Sequence, residues 1–377
     1  MTAGILFLIY FASAILYMFL IFAFTEGWYR LSRFSFSHRD LSTPLSVIIP
    51  FRNEKENLTR LLETLLQQSY PAAFTEIIFV NDHSEDGGEN LLNDFIHRQN
   101  IQNVQLISSP GTGKKAALQT GIASASGKLI VITDADCLPT RSWLTEIVTF
   151  YEQNHPRLIL GPVIYDGERT LQEKLFSLEF MSLVASGAGS AGIGLPFMGN
   201  AANMAFEKKI YLDATDDALQ NGFASGDDVF FIQYISRKFG RRAVTFIKNE
   251  ETIVRTSPPS SVSSFLRQRI RWGSKARGYT QPWAMLVSYT VFFYNLMLTI
   301  SFITGFFYPW EWIIYGLFII IKTLIDFPLL YAFSRFAGKR RLLPLLFPFE
   351  IIYPFYITFV AFRSLFPYQW KNRQWKQ

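Results

Sequence analysis

The chain has 377 residues, of which 49% are hydrophobic and 16% aromatic, with 37 phenylalanines. That apolar weight is high for a wholly soluble enzyme and points to membrane-spanning segments beside a domain with its own core. The 36 basic and 30 acidic residues leave it only mildly basic, and the basic residues sit beside apolar segments as membrane flanks do, so no nucleic-acid partner is expected. A single cysteine, Cys137, excludes an intrachain disulfide, and four scattered histidines lack zinc-site spacing.

Ala3 to Phe24 carries no charge and is about the length needed to cross a bilayer. The run is too long for a signal-peptide core and no basic residue precedes it, so residues 1–26 read as a retained anchor. Arg30, Arg33 and Arg39 follow, which by the positive-inside rule puts the next domain in the cytosol.

Over residues 40–260 the pattern changes to strands alternating with helices. "LSVIIP" from Leu45 is a strand. "NEKENLTRLLETLLQQ" follows as a helix, with Leu58, Leu61, Leu62 and Leu65 on one face, Asn53 as the expected cap and Glu56 three residues on. "EIIFVND", "VQLIS" and "KLIVIT" are further strands. Continuous apolar strands alternating with helices predict an α/β fold with a parallel sheet covered on both faces. Ligands of such sheets bind outside the carboxyl ends of the strands, where Asn81, Asp82, Asp134 and Asp136 fall. Asp134 and Asp136 close the run "LIVITDAD" one residue apart. Two carboxylates so placed repel each other, and a divalent metal is the usual reason for the arrangement; a plain polar turn is the alternative.

"GTGKKAAL" puts Lys114 and Lys115 before a helix. It is not a P-loop, because the first glycine and the Ser or Thr after the lysine are missing. The lysines either meet a phosphate or lie on a solvated helix start. "SLVASGAGSAGIGLP" is a flexible loop or a packed helix. "GDDVFFIQYISRKF" carries Asp227 and Asp228 at the start of a helical pattern, where negative charge is favourable for purely structural reasons.

Residues 261–281 form a basic segment, "RQRIRWGSKARG", suited to a membrane interface. Residues 282–377 hold two to three further spans: Trp283 to Phe307, Trp312 to Phe333, and Leu342 to Phe366. The last contains Pro344, Pro348, Pro354, Glu350 and Arg363 and either crosses or re-enters; a crossing would leave Lys371, Arg373 and Lys376 outside, against the positive-inside rule. "GKRR" between the second and third fits the cytosol. Lys322 and Asp326, four apart on one face of a span, read as an intrahelical ion pair in preference to a transport site.

Four pieces then line up: "IIPFRNEKENL" with Pro50, Arg52, Asn53 and Glu54; "FVNDHSEDG" with Asp82; the lysines followed by Asp134-Ala-Asp136; and "GDDVFF" with "QRIRW", which gives Gln268, Arg271 and Trp272. Together they resemble the membrane-integrated branch of the family 2 glycosyltransferases, from roughly Ser46 to Trp272. The resemblance implies a GT-A fold, a Rossmann-like mixed sheet, with added transmembrane helices. It implies an inverting transfer of a hexose or N-acetylhexosamine from a UDP-sugar to a lipid or membrane-associated glycan acceptor, with Mg²⁺ or Mn²⁺. Asp136 is then the principal metal ligand, with Asp134 orienting metal or ribose. Pro50, Arg52, Asn53, Glu54, Asp82, Lys114, Lys115 and Asn200 bind the donor. Asp228 is the general base with Asp227 beside it, and Gln268, Arg271 and Trp272 meet the diphosphate and acceptor. Relatives often carry Asp at the position of Asn81 and Glu at that of Asp227. A processive polysaccharide synthase of the same family is an alternative, although the short chain leaves little material for a polymer channel. An alternative of another class is a non-catalytic membrane subunit that binds nucleotide sugars. The expected location is a bacterial inner membrane, with the catalytic domain in the cytosol.

Overall fold

The computed structural model describes residues 2–33, 41–214, 227–366, 368–370 and 373–375. Arg39, Gly226, Lys371 and Lys376 lie outside the described residues. Two compact units share the chain: one gathers Met1–Arg30, Gly167–Phe197 and Pro258–Gln377, the other Leu31–Asp166 and Met198–Ser257.

Helix α1 (Thr2–Arg30) opens the first unit. The second begins with β1 (Leu45–Phe51), α2 (Lys55–Leu66), β2 (Thr75–Asn81), α3 (Gly88–Arg98), β3 (Val104–Ser108), α4 (Lys114–Ser124), β4 (Leu129–Ile132), β5 (Cys137–Pro139), α5 (Trp143–Asn154), β6 (Leu158–Leu160) and β7 (Val163–Tyr165). After α6 (Leu171–Gly192), which belongs with α1, come β8 (Met204–Glu207), α7 (Lys208–Leu212), α8 (Asp227–Phe239), β9 (Val244–Phe246) and β10 (Val254–Thr256). The chain then returns to the first unit with α9 (Val262–Gly273), α10 (Pro282–Thr304), α11 (Trp310–Phe336), α12 (Leu346–Arg363) and a hairpin of β11 (Tyr368–Trp370) and β12 (Arg373–Trp375).

The main sheet has the order β3-β2-β1-β4-β8-β6-β9. The first four strands are parallel, with continuous apolar runs in β2, β1 and β4, and β8 lies antiparallel between β4 and β6. The sheet is therefore mixed. All of β1 is buried, and so are Leu58, Leu61, Leu62 and Leu65 of α2. Pro50 is tolerated in the central strand because pairing of β1 with β4 ends at Ile48 and Ile132; the missing N–H falls where β4 has already turned away. A second sheet, β5-β10-β7, continues from the end of β4.

One expected detail is corrected. Asn53 does not cap α2. The helix starts at Lys55 after Glu54, without a side-chain cap, and Asn53 adopts a left-handed φ of 53° instead. An Asn tolerates this conformation, and its side chain is used elsewhere.

In the other unit, four helices among the described residues are long and apolar enough to cross a membrane: Phe7–Arg30, Pro282–Thr304, Trp310–Phe336 and Arg340–Arg363. The small-residue stretch before Pro196 is a packed helix. A Cβ on Gly189 of α6 would lie 2.2 Å from the Phe24 carbonyl oxygen, and one on Gly27 of α1 would lie 1.9 Å from that of Gly189. Only glycines allow two backbones to approach this closely. That packing places Gly167–Phe197 with the long helices and not with the sheet.

Candidate active site

The loops after β1 and β2 are laced together. Asn53 Oδ1 accepts from the Glu85 backbone at 2.8 Å, and the Asn53 N–H donates to Ser84 Oγ at 3.0 Å. Arg52 donates to the Asp82 carbonyl at 3.1 Å and pairs with Glu85 at 3.2 Å. Asn81 is fully employed in its own loop, donating to Glu89 at 2.6 Å and accepting from the Ser84 N–H at 2.9 Å. Asp82 is buried, and its Oδ1 accepts from the Gly113 N–H at 2.8 Å, just before α4. Gly113 has φ 98°, which other residues adopt only with strain, so the "GTGKK" glycine is required by the turn that meets Asp82.

At the carboxyl end of β4, Asp134 forms an ion pair with Lys114 at 2.5 Å. Lys115, next along α4, is buried. Asp136 Oδ2 accepts from Thr256 Oγ1 at 3.1 Å, an arrangement built by β5 pairing with β10 so that Cys137 faces Thr256. Part of Asp136 is open to solvent. Surrounding protein nonetheless pushes its carboxyl up to about 6, by desolvation first and then by the charges of Asp134 and Glu54, with Thr256 and Lys114 acting the other way. A divalent cation suits this place, since it would offset both the desolvation and the repulsion that raise Asp136. Among the described residues no three acidic, His or Cys side chains are gathered to hold a metal alone. An ion held by one or two carboxylates and completed by phosphate oxygens, as Mg²⁺ commonly is, fits that donor set.

Asp228 lies in the first turn of α8, where its Oδ1 accepts from the Val229 N–H at 2.8 Å. The side chain of Asp227 lies outside the described residues. Asn200 caps a short 3₁₀ turn, accepting from the Ala202 N–H at 3.0 Å. In the helical unit, Gln268, Arg271 and Trp272 sit on α9 at spacings of three and four, hence on one side of the helix, and all three are half-buried.

Residues 129–333, over half of the chain, match the sequence profile of "Glycosyl transferase family group 2", and residues 46–211 match that of "Glycosyl transferase family 2". The chain is a family 2 glycosyltransferase. It is 31% identical over 144 residues to the glycosyltransferase AglE of Haloferax volcanii, a match covering 38% of this chain and 47% of that protein. It thus spans about half the length of that relative. A dolichyl N-acetyl-α-D-glucosaminyl phosphate 3-β-D-2,3-diacetamido-2,3-dideoxy-β-D-glucuronosyltransferase of Methanococcus voltae is 22% identical over 234 residues, 61% of this chain and 72% of that one. The solved mannosyltransferase PcManGT of Pyrobaculum calidifontis, in complex with GDP-Man and Mn²⁺, superposes with a TM-score of 0.60 at 17% identity, covering 96% of this chain and 97% of its own. That likeness establishes the GT-A-like fold.

Several residues around the glycosyltransferase's acidic groups gave no sign in the sequence. Thr256 reaches Asp136 from 120 positions away. Asn203 is a buried hub, accepting from Trp143 Nε1 at 3.0 Å and donating to the Pro162 and Thr252 carbonyls at 2.9 and 2.7 Å. Glu85 lies in a polar loop whose pattern says only that it is a loop, and Glu89 is in the first turn of α3.

Proposed function

We propose that this glycosyltransferase is a membrane-bound inverting enzyme that moves a hexose or N-acetylhexosamine from a UDP-sugar to a lipid or membrane-associated glycan. The observation that carries the reading is the gathering of Asp134, paired with Lys114, and Asp136, held by Thr256, at the carboxyl end of β4. Such a group suits a metal-bound diphosphate. Asp136, with Asp134, would hold Mg²⁺ or Mn²⁺, and the bound ion would neutralise charge on the departing nucleoside diphosphate. Asp82 and Glu54, with Pro50, Arg52 and Asn53 shaping their loop, are assigned to the nucleoside. Lys114 is assigned to the diphosphate; the burial of Lys115 favours a supporting role for it. Asn200 is kept as a donor-pocket residue. Asp228 is assigned as the general base that takes the acceptor hydroxyl's proton, with Asp227 adjacent. Gln268, Arg271 and Trp272 are assigned to diphosphate and acceptor.

A lipid-borne acceptor explains why a transferase carries long apolar helices. The name of the methanococcal relative describes transfer to a dolichyl-linked sugar phosphate. The basic flanks, Arg30 and Arg33 after α1 and "GKRR" after α11, favour an inner-membrane protein whose sheet unit faces the cytosol.

The test is donor turnover by the full chain in detergent with membrane lipid extract, offering UDP-glucose, UDP-N-acetylglucosamine and GDP-mannose in turn. A UDP-sugar should be consumed, labelled lipid should appear, and EDTA should stop both. Asp136→Ala should lose about a hundredfold or more of the rate. Near-normal turnover in that variant, with wild type indifferent to EDTA, refutes the metal assignment. Consumption of GDP-mannose alone refutes UDP.

A further inference from the structure

The run Gln268-Arg269-Ile270-Arg271-Trp272 contains an arginine to which no role has been given. Arg269 is 3% exposed, and Glu179 of α6 is 1% exposed. The guanidinium makes a fork onto the Glu179 carboxylate: Nε lies 2.9 and 3.0 Å from its two oxygens, and Nη2 is paired with Oε2. Tyr356 of α12 donates to the same carboxylate at 2.9 Å, so one buried anion ties three helices. The flat cation also lies over the rings of Trp272 at 4.3 Å and Phe265 at 4.5 Å. Its remaining fork nitrogen, Nη1, donates to Gln268 Oε1. Arg269 therefore touches two of the three residues assigned to diphosphate and acceptor, and Glu179 fixes Arg269. A lysine could supply the charge and N–H donors, but neither the planar face for Trp272 nor a rigid fork whose separate nitrogens reach Glu179 and Gln268 at once.

We propose that Glu179 and Arg269 are positioning residues, which set the amide of Gln268 and the ring of Trp272 in the orientation with which this run meets a diphosphate. The inference rests on the reading of Gln268 under Proposed function. It adds a residue from α6, a helix whose small-residue stretch the sequence leaves open as a flexible loop over the site or a packed helix.

A purely structural ion pair would alter stability alone, so the test reads ligand binding. Calorimetry on the full chain in detergent with Mn²⁺ compares UDP with UMP, which lacks the second phosphate. Arg269→Lys should weaken UDP about ten- to a hundredfold, the worth of one or two hydrogen bonds to a charged group, and leave UMP within about twofold. Glu179→Gln, which keeps an acceptor for Tyr356 and is the milder change for folding, should weaken UDP in the same direction. Because Arg269 acts through Gln268, Arg269→Lys should cost far less in a Gln268→Ala background than in wild type. Arg267→Ala, an exposed arginine on the same helix, should change neither nucleotide. Additive losses, or UDP affinity unchanged while thermal stability falls, overturn positioning and leave the diphosphate reading standing. If Gln268→Ala alone leaves UDP binding intact, the diphosphate reading of Gln268 fails and positioning fails with it.

Discussion

Asp228 carries two loads that one substitution separates. Its Oδ1 accepts from the N–H of its neighbour Val229 in the first turn of α8, where its negative charge favours the helix N-terminus. In the proposed reaction the same carboxylate takes the proton of the acceptor hydroxyl. Asp228→Asn keeps an oxygen for the N–H and loses the base. Helix stability should then change by at most about 1 kcal/mol, while transfer should fall on the order of a hundred- to ten-thousandfold. Calorimetric affinity for the UDP-sugar should stay near wild type, since the assigned donor contacts are elsewhere. An unchanged transfer rate would remove Asp228 from catalysis and leave it only as favourable charge at the helix start. The sequence showed this residue, like Asp82, Asp134 and Asp136, because each follows an apolar run or opens a helical one. It did not show Thr256 or Asn203, whose work is done on partners distant in the chain.

Among the elements, α5 and the short 3₁₀ turn Glu250–Thr252 hold an acid that titrates near neutrality. Glu146 is buried, accepts from Asn249 at 2.6 Å through one oxygen and has, among the described residues, no hydrogen-bond partner for the other. Its carboxyl is pushed from 4.5 up to about 7, by desolvation first and then by Glu251, while the Asn249 hydrogen bond acts the other way. The folded protein thus keeps a proton that the unfolded chain releases. The stability so gained is full below about pH 4.5 and is lost as pH rises through about 7. Glu146→Gln removes this titration. Its melting temperature should fall less between pH 5 and pH 8 than that of wild type, by the equivalent of about 1–2 kcal/mol. Equal slopes would mean that another group carries the pH dependence. In the helical unit, Gly189→Val should force α1 and α6 apart, because its Cβ would lie 2.2 Å from a backbone oxygen that cannot yield. A loss of about 1–3 kcal/mol or more, read as a lower melting temperature in detergent, is expected; an unchanged melt would show that the crossing is loose. The composition of α6 was visible beforehand, but its role was not. A small-residue stretch reads equally as loop or as tight helix until the partner helix, more than 150 positions away, is known.

For the whole molecule, the apolar runs and alternating pattern made the helices and parallel strands legible, because each is dictated by neighbours in sequence. Interleaving was not legible: one unit draws on the start, the middle and the end of the chain. Its clearest long-range device is the cluster around Lys322, near the middle of α11. The ion pair with Asp326, at 2.7 Å, was expected from the four-residue spacing. The structure adds Glu350 of α12 at 2.6 Å from the same ammonium, and Tyr17 of α1, which donates to Asp326 at 2.8 Å. Lys322 also lies over the Tyr353 ring at 4.5 Å, and the hydroxyl of Tyr294 on α10 is used on the Phe318 carbonyl. Two carboxylates therefore face one ammonium in an apolar bundle, so the cluster has one acid more than charge balance needs. Glu350→Gln leaves a matched pair and an oxygen for Lys322, and should change stability by no more than about 1 kcal/mol. Lys322→Met sets the two acids against each other with no cation, and should cost about 3–5 kcal/mol. Adding Asp326→Asn and Glu350→Gln to Lys322→Met should recover much of that loss, since no buried charge remains. Thermal melts of the four proteins in one detergent decide it. If Glu350→Gln proves as damaging as Lys322→Met, the second carboxylate is an indispensable fastening between α11 and α12, and the charge count does not govern the bundle.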